Sequence, residues 1–523
     1  MSDRIAQKLA RIRGGSRPRL LDMFSGCGGF TLGFQRAGFQ PVGGLDLDEN
    51  ATRSYAHNFH PDAVERHLEP EGVEREGGSA ALDQVRRRAG EAVDPRDAID
   101  VFTAGPPCPT FSQIGRAKLN FPHDPKKVDR ETFESSDLFL DDERNDLFHA
   151  IPAYAQALEP VAMVVENVPG FLSQRGTNHG RKLASMLEEL GYEVAYTLLN
   201  SAAYGVPQWR ERFFLIAIHR VAGTGIPSFP VPDHTLAGMP AGMMGVRKGA
   251  ITLIPGASLH SSGQLTLMRT DHWVPVPVAP PGSRKPVSVG EAIGDLPSHD
   301  PSEHPETRTR SEEWKDGEMR GYTGDPSPFA LKMRAWAGRD HGDGIWAAQH
   351  IARNTTSDTG RDRRIFERMA NGDGYPQAIA IAERLLENAI EGQGGAENMS
   401  DEALEAIRAR YVPPYPVDKF VTKWQRLRWD SPSHTLTAHL SKDTYSHIHP
   451  GQPRMITVQE AARLQSFPDS FRFCSSMSGA FRQIGNSVPP LLSNAIGQSL
   501  LEQLIGTAVT EESEPAPAKQ DRA

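Results

Sequence analysis

At 523 residues the chain exceeds one ordinary hydrophobic core, so a large domain plus a second is expected. Three cysteines, Cys27, Cys108 and Cys474, form no CxxC pair and no zinc spacing, which argues for a reducing compartment and against a structural metal. A net charge of −9 confines any nucleic-acid surface to a local patch, and no apolar run reaches the roughly 18 residues of a membrane helix, so the chain reads as cytoplasmic.

Met1 to Arg19 is a basic lead, with Arg4, Lys8, Arg11, Arg13, Arg17 and Arg19 against Asp3, and reads as a frayed or solvated helix. The apolar run Leu20 to Phe24 then breaks into Ser25-Gly26-Cys27-Gly28-Gly29, and a helical pattern follows from Phe30 to Ala37 with Gly38 as its stop. Strand, glycine turn and helix bring a nucleotide-type ligand against backbone amides, although the spacing is not the GxGxxG of a dinucleotide site. The next strand, Pro41 to Leu47, ends on Asp46 and Asp48. An acid there either accepts hydrogen bonds from ribose hydroxyls or caps a helix over Glu49 to Asn58. Glu69 to Asp97 is charged and glycine-rich, a surface excursion that includes one polar helix.

Thr103 to Gly115, TAGPPCPTFSQIG, follows a short apolar strand over Ile99 to Thr103. Pro106 and Pro107 have no amide hydrogen for a sheet ladder, so the strand stops and leaves Cys108 in a loop at its carboxyl end. A lone cysteine is ordinarily a small buried hydrophobe, but this placement is a nucleophile's. The uneven, charged stretch Phe121 to Glu143 has the length of a lid. A helix over Asn145 to Leu158 and a strand over Val161 to Val165 deliver Glu166-Asn167-Val168-Pro169 to the same rim. Glu166 is thus an acid/base candidate, or else a salt-bridge partner. After a helix at Lys182 to Leu190 and a strand at Glu193 to Asn200, the segment Gln208-Trp209-Arg210-Glu211-Arg212 precedes a strand over Phe213 to Ile218. Strand alternation sends Gln208, Arg210 and Arg212 to one face, where the arginines orient Glu166, grip phosphate or form a surface ion pair.

His219 to Pro453 is rich in Pro, Gly and charge, with helical runs at Tyr375 to Ile390 and Asp401 to Tyr411. In KFVTKWQRLRW, Lys419, Lys423, Arg426 and Arg428 alternate with aromatics, a pattern of phosphate and base contacts or of a half-buried strand with snorkelling ends. His434, His439, His447 and His449 have no acid or cysteine spacing that would make them a metal site. A helix over Val458 to Gln465, a Phe467-Pro468-Asp469 turn and an amphipathic helix over Leu491 to Leu504 follow. The tail from Glu511 is polar and reads as disordered.

LDMFSGCGGFTLGFQRAGF, GPPCPTFS, ENVPGF, QWRER, EAARLQSFPDSF and QIGNSVPP stand in the order of the motifs of DNA (cytosine-5)-methyltransferases, which this chain closely resembles over roughly its first 220 and last 70 residues. The resemblance implies an α/β fold, a Rossmann-like S-adenosyl-L-methionine-dependent sheet with helices on both faces, plus a smaller irregular target-recognition domain. It divides the chain into a lead (1–18), a catalytic and cofactor-binding domain (19–220), a variable recognition region (221–453), C-terminal motifs that return to the catalytic domain (454–507) and a tail (508–523). It implies that Cys108 adds to C6 of a flipped-out cytosine in duplex DNA, that Glu166 holds N3 and the exocyclic amine, and that Arg210 and Arg212 support the base, the glutamate and the backbone.

Cofactor contacts follow by the same resemblance: Phe24, Gly26, Gly28 and Gly29 around the methionine and adenosine, Asp46 at the ribose, Gly105 and Pro107 beside the sulfonium, Leu147 at adenine, and Asn486, Ser487 and Val488 closing the pocket. No metal is implied, and the protein reads as a monomer, with any cognate restriction endonuclease acting separately. Two departures stand out. Pro109 occupies the place of the glutamine usual after the nucleophile, and Arg66-His67-Leu68 replaces the acid common at the third strand. Three other readings stay open: an RNA cytosine methyltransferase of the same fold, a nicotinamide dehydrogenase, and a DNA-binding module that has lost catalysis.

Overall fold

The computed structural model describes residues 2–60, 94–107, 147–173, 177–242, 257–259, 265–267, 272–299, 319–336, 344–346, 360–415, 417, 423–441 and 445–506. Cys108, Pro109, the 66–68 segment, the expected lid over 121–143 and the tail over 508–523 lie outside the described residues.

Six strands form one sheet: β1 (Arg19–Met23), β2 (Gln40–Leu45), β3 (Val101–Ala104), β4 (Ala162–Asn167), β5 (Tyr192–Asn200) and β6 (Glu211–His219). Their order is β2-β1-β3-β4-β6-β5, with β2, β1, β3 and β4 mutually parallel and β6 antiparallel to both its neighbours. Because successive side chains in a strand leave on opposite faces, each strand feeds two cores. Leu20, Val101, Val164 and Phe214 enter one, and Leu21, Phe102, Val165 and Phe213 the other. That double burial explains why these strands read as near-continuous apolar runs.

On the first face, α2 (Gly29–Arg36) lies against the C-terminal helix Pro490–Ile505. A Cβ on Gly33 would collide with the Pro490 carbonyl and the Asn494 amide, and one on Gly497 with Ala37, so the two helices approach at backbone distance. Ser493 Oγ donates to the Phe30 carbonyl at 2.6 Å and closes the contact. On the second face pack the helices Ala150–Leu158 and His179–Glu189.

The basic lead differs from the solvated helix expected for it. Residues Ser2–Arg13 form helix α1, whose Ile5, Leu9 and Ile12 are buried at helical spacing in the first core. Its cations have partners that lie far along the chain and are invisible in local composition. Lys8 donates to the carbonyls of Leu158 and Glu159 at 3.0 and 2.8 Å, at a helix C-terminus where a cation is favoured. Arg11 pairs with the buried Asp100, and Arg13 donates to the carbonyls of Leu504 and Ala222. Burial lowers Lys8 to about 8.

Residues between 365 and 455 form a separate apolar cluster, with Ile365, Phe366, Tyr375, Trp424, Tyr445 and Ile448 at its centre. Trp424 is fully buried there, and Arg426 donates to the carbonyls of Met369 and Pro450. In the described part of the basic–aromatic run, these two residues therefore build a core rather than a phosphate surface, as aromatics and long stems in a half-buried strand do. Lys423 sits 3.7 Å from the centre of the Tyr415 ring, and Arg428 pairs with Asp430. A buried ionic network fastens the segments 272–299 and 319–336 to residues 463–469. Arg463 reaches both Asp469 and Asp295, Arg334 also holds Asp295, and the Tyr322 hydroxyl donates to Asp469 at 2.6 Å.

His434 and His447 stack with ring centroids 3.9 Å apart. Burial pushes His434 down to about 4 and His447 well below the usual imidazole value, with the His434 ring further disfavouring charge on His447. Unfolded imidazoles titrate near about 6.5, so between there and about 4 the unfolded chain binds protons that the folded one excludes. Stability is therefore whole above about 6.5 and falls as the pH drops, by up to about 1.4 kcal/mol per pH unit for each imidazole. Denaturant titrations between pH 7.5 and 5 should show this loss, with a shallower slope in His447→Asn. Equal slopes would refute the assignment. No group of three or more metal-ligating side chains occurs among the described residues.

Candidate active site

The glycine turn after β1 is a tight left-handed excursion. Phe24, Gly26 and Gly28 have φ of 58°, 53° and 96°, and the bulky Phe24 is an outlier of the kind that concentrates at functional sites. Gly26 donates its amide to Asp46 Oδ2 at 2.8 Å, and Asp48 donates its amide to Oδ1 of the same carboxylate at 2.8 Å. Capping of helix α3 (Glu49–Phe59) falls instead to Asp48, which accepts from the Ala51 amide. Asp46 is thus released from the capping role and stands at the mouth of the turn, its carboxyl raised by burial.

The glycines divide by role. A Cβ on Gly28 would strike the Phe59 ring and one on Gly29 the Val488 carbonyl, so these two are required by protein packing. A Cβ on Gly26 would meet nothing within 4 Å. Beside it Leu47 leaves 75 % of its surface exposed at the end of β2, an apolar plate next to an acid. Open backbone, a carboxylate and an apolar plate fit the ribose and adenine of the expected methyl donor.

The C-terminal block meets this turn. Ser487 Oγ lies 3.2 Å from Cys27 Sγ, Gln465 Nε2 donates to the Ser487 carbonyl at 2.6 Å, and Val488 covers Gly29. Asn486, the exposed last residue of the helix Met477–Asn486, lies next to this contact. Burial raises the Cys27 thiol to about 12, which leaves it inert. Leu147 stands in the short turn that precedes the helix Ala150–Leu158.

β3 ends at Ala104, and the Gly105 amide is tied to the Met23 carbonyl at 3.2 Å. Pro106 is buried and Pro107 exposed, so the described chain leaves the core at this point. A Cβ on Gly105 would lie 3.8 Å from Glu166 Oε2, which places the carboxylate over the root of the cysteine loop. Arg212 Nε lies 3.1 Å from Glu166 Oε1. Burial raises the Glu166 carboxyl, and the charges of Arg212 and then Arg210 oppose that shift.

The three residues expected on one face diverge, because Gln208 and Arg210 precede β6 and escape its alternation. Arg210 is buried, with Nη1 donating to the Leu436 carbonyl at 2.8 Å and Nη2 to the Gly485 carbonyl at 3.2 Å. Gln208 donates to Gln465 Oε1 and accepts from the Leu436 amide. These two join the catalytic sheet to the C-terminal motifs, while Arg212 reaches the glutamate. Leu47 and Asp22 were not singled out in the sequence. Each has a signal there, an apolar residue between two acids for Leu47 and an acid inside an apolar strand for Asp22.

The sequence profile of the C-5 cytosine-specific DNA methylase family matches residues 19–240 and 349–502. The chain is 34 % identical over 495 residues to the putative type II methyltransferase M.OihORF3336P of Oceanobacillus iheyensis, covering 94 % of this chain and 97 % of that protein. It is 30 % identical to the type II methyltransferase M.AgeI of Thalassovita gelatinovora, covering 92 % and 99 %. A putative DNA modification methyltransferase encoded within an Escherichia coli prophage shares the fold, with a TM-score of 0.52 at 20 % identity, covering 93 % and 99 %. The chain belongs to the C-5 cytosine-specific DNA methylase family, a DNA (cytosine-5)-methyltransferase whose family takes its methyl group from S-adenosyl-L-methionine.

Proposed function

We propose that the protein methylates C5 of a cytosine flipped out of a specific duplex word, as the modification arm of a restriction-modification system or as an orphan enzyme. The route runs through a covalent bond between Cys108 and C6. One observation carries this reading: the carboxyl edges of three adjacent parallel strands present the glycine turn, the root of the cysteine loop and the Glu166–Arg212 pair side by side. Open α/β sheets bind their ligands at that edge.

Cys108, as thiolate, forms a bond to C6 while Glu166 passes its proton to N3; the C5–C6 π pair moves to C4–C5 and the C4–N3 π pair takes the proton, which leaves a neutral enamine whose C5 is nucleophilic. Desolvation of Glu166 keeps that proton available at higher pH than an exposed carboxyl would. Arg212 fixes the orientation of the carboxyl. Phe24, Gly26, Asp46 and Leu47, with Asn486, Ser487 and Val488 on the other side, would hold the donor, whose sulfonium supplies an electrophilic methyl group. A base then takes the C5 proton, that bonding pair forms the C5=C6 double bond, the C6–S pair leaves on the thiolate, and N3 returns its proton to Glu166, which restores the aromatic ring. Flipping costs a few kcal/mol, repaid by contacts to the pocket and backbone.

A duplex carrying 5-fluorocytosine tests the pathway, because fluorine cannot leave as a cation and the adduct is trapped. A denaturant-stable complex that requires the methyl donor and maps to Cys108 is expected. Full turnover without any such complex would refute the covalent route. Equal methylation of RNA would refute the DNA reading.

A further inference from the structure

Asp22 lies within β1, fully buried, among the apolar Leu20, Leu21 and Met23. Thr31 Oγ1 donates to its Oδ2 at 2.6 Å and Thr103 Oγ1 to its Oδ1 at 2.8 Å, and both threonines are themselves buried. The Tyr55 hydroxyl stands 3.2 Å from Thr31 Oγ1 and extends the chain of contacts to α3. Thr31 is in the first turn of α2, directly after the glycine turn. Thr103 is the cross-strand partner of Asp22 on β3, five residues before Cys108.

No cation pairs with this carboxyl among the described residues. Burial raises it to about 6, the two hydroxyls pulling the other way. An uncompensated buried acid is an expensive way to hold two strands that apolar packing would hold anyway. What it supplies is geometry, one rigid group with two oxygens aimed in fixed directions.

We infer that Asp22 is a positioning residue that uses one carboxylate to hold the cofactor turn, through Thr31, and the strand carrying the nucleophile loop, through Thr103, in mutual register. The inference rests on the assignment of Cys108 as nucleophile. Small displacements between reacting groups are costly in transfer reactions, so a link of this kind bears directly on rate.

Thr103→Val and Thr31→Val remove one hydroxyl each at constant shape, and Thr103→Ser and Thr31→Ser restore it. Melting curves confirm folding, and active-site titration normalises the rates on mixed-sequence duplex DNA with labelled S-adenosylmethionine. Thr103→Val should lower kcat by about tenfold at unchanged donor affinity, Thr31→Val should weaken donor binding by about fivefold, and the serine variants should recover. Because both routes pass through one carboxyl, the double valine variant should lose less than the product of the singles. Valine variants with wild-type kcat and donor affinity, or serine variants as impaired as the valines, would overturn the inference. A Cys108→Ala control that still methylates would instead sink the nucleophile assignment, so the two failures are separable.

Discussion

Cys108→Ser is expected to abolish methyl transfer, by about 10⁴-fold or more, while donor affinity stays unchanged. Neutral cytosine is a poor carbon nucleophile at C5, and only an electron pair pushed into the ring from C6 makes it attack a methyl group. A serine hydroxyl stays protonated near neutral pH, whereas a thiol needs only a modest shift to become a thiolate there. The proposed donor pocket draws on the glycine turn, Asp46 and the C-terminal block, and exchanging one sulfur for oxygen alters none of these residues. Calorimetric titration with S-adenosylmethionine and a tritium-transfer assay on the same preparation separate the two properties. Residual turnover near the wild-type rate would remove Cys108 from the mechanism.

Glu166→Gln should lower kcat by about 10²–10⁴-fold, the usual range for a lost proton donor. The amide matches the carboxyl in shape and can still accept from Arg212, so the local fold survives. It cannot deliver a proton to N3, and it leaves Arg210 and Arg212 close together without the negative charge that offsets them. Single-turnover rates of adduct formation on a 5-fluorocytosine duplex isolate this step. A Glu166→Gln enzyme that traps the duplex as fast as the wild type would show that the carboxyl acts after the adduct, or not at all.

Much of this site was legible in the residues. Prolines at Pro106 and Pro107 announce where β3 must stop, and the apolar runs of β1, β3 and β4 mark strands buried on both faces, so their carboxyl ends share a rim. Helices at Asp401–Tyr411 and Tyr375–Glu391 follow from periodicity, with Ser400 capping the first and Pro376 just inside the start of the second. What was hidden depends on partners distant in sequence. The charges of α1 look solvated until Asp100, Leu158 and Ala222 arrive beneath them. Arg210 and Arg212 look equivalent until Leu436 and Gly485 claim the first. In the same way, Trp424 and Arg426 pass for a nucleic-acid surface because local alternation cannot tell an inward side chain from an outward one.

Gly29 rests on the Val488 carbonyl, and Cys27 on Ser487, so the floor of the proposed donor pocket is laid by residues about 460 positions apart. A nascent chain still on the ribosome therefore carries its thiol and its glutamate long before it can retain a methyl donor. For the site proposed above, competence waits until the helix Pro490–Ile505 has emerged and docked. Premature termination anywhere before that point should yield a polypeptide unable to modify its host's genome.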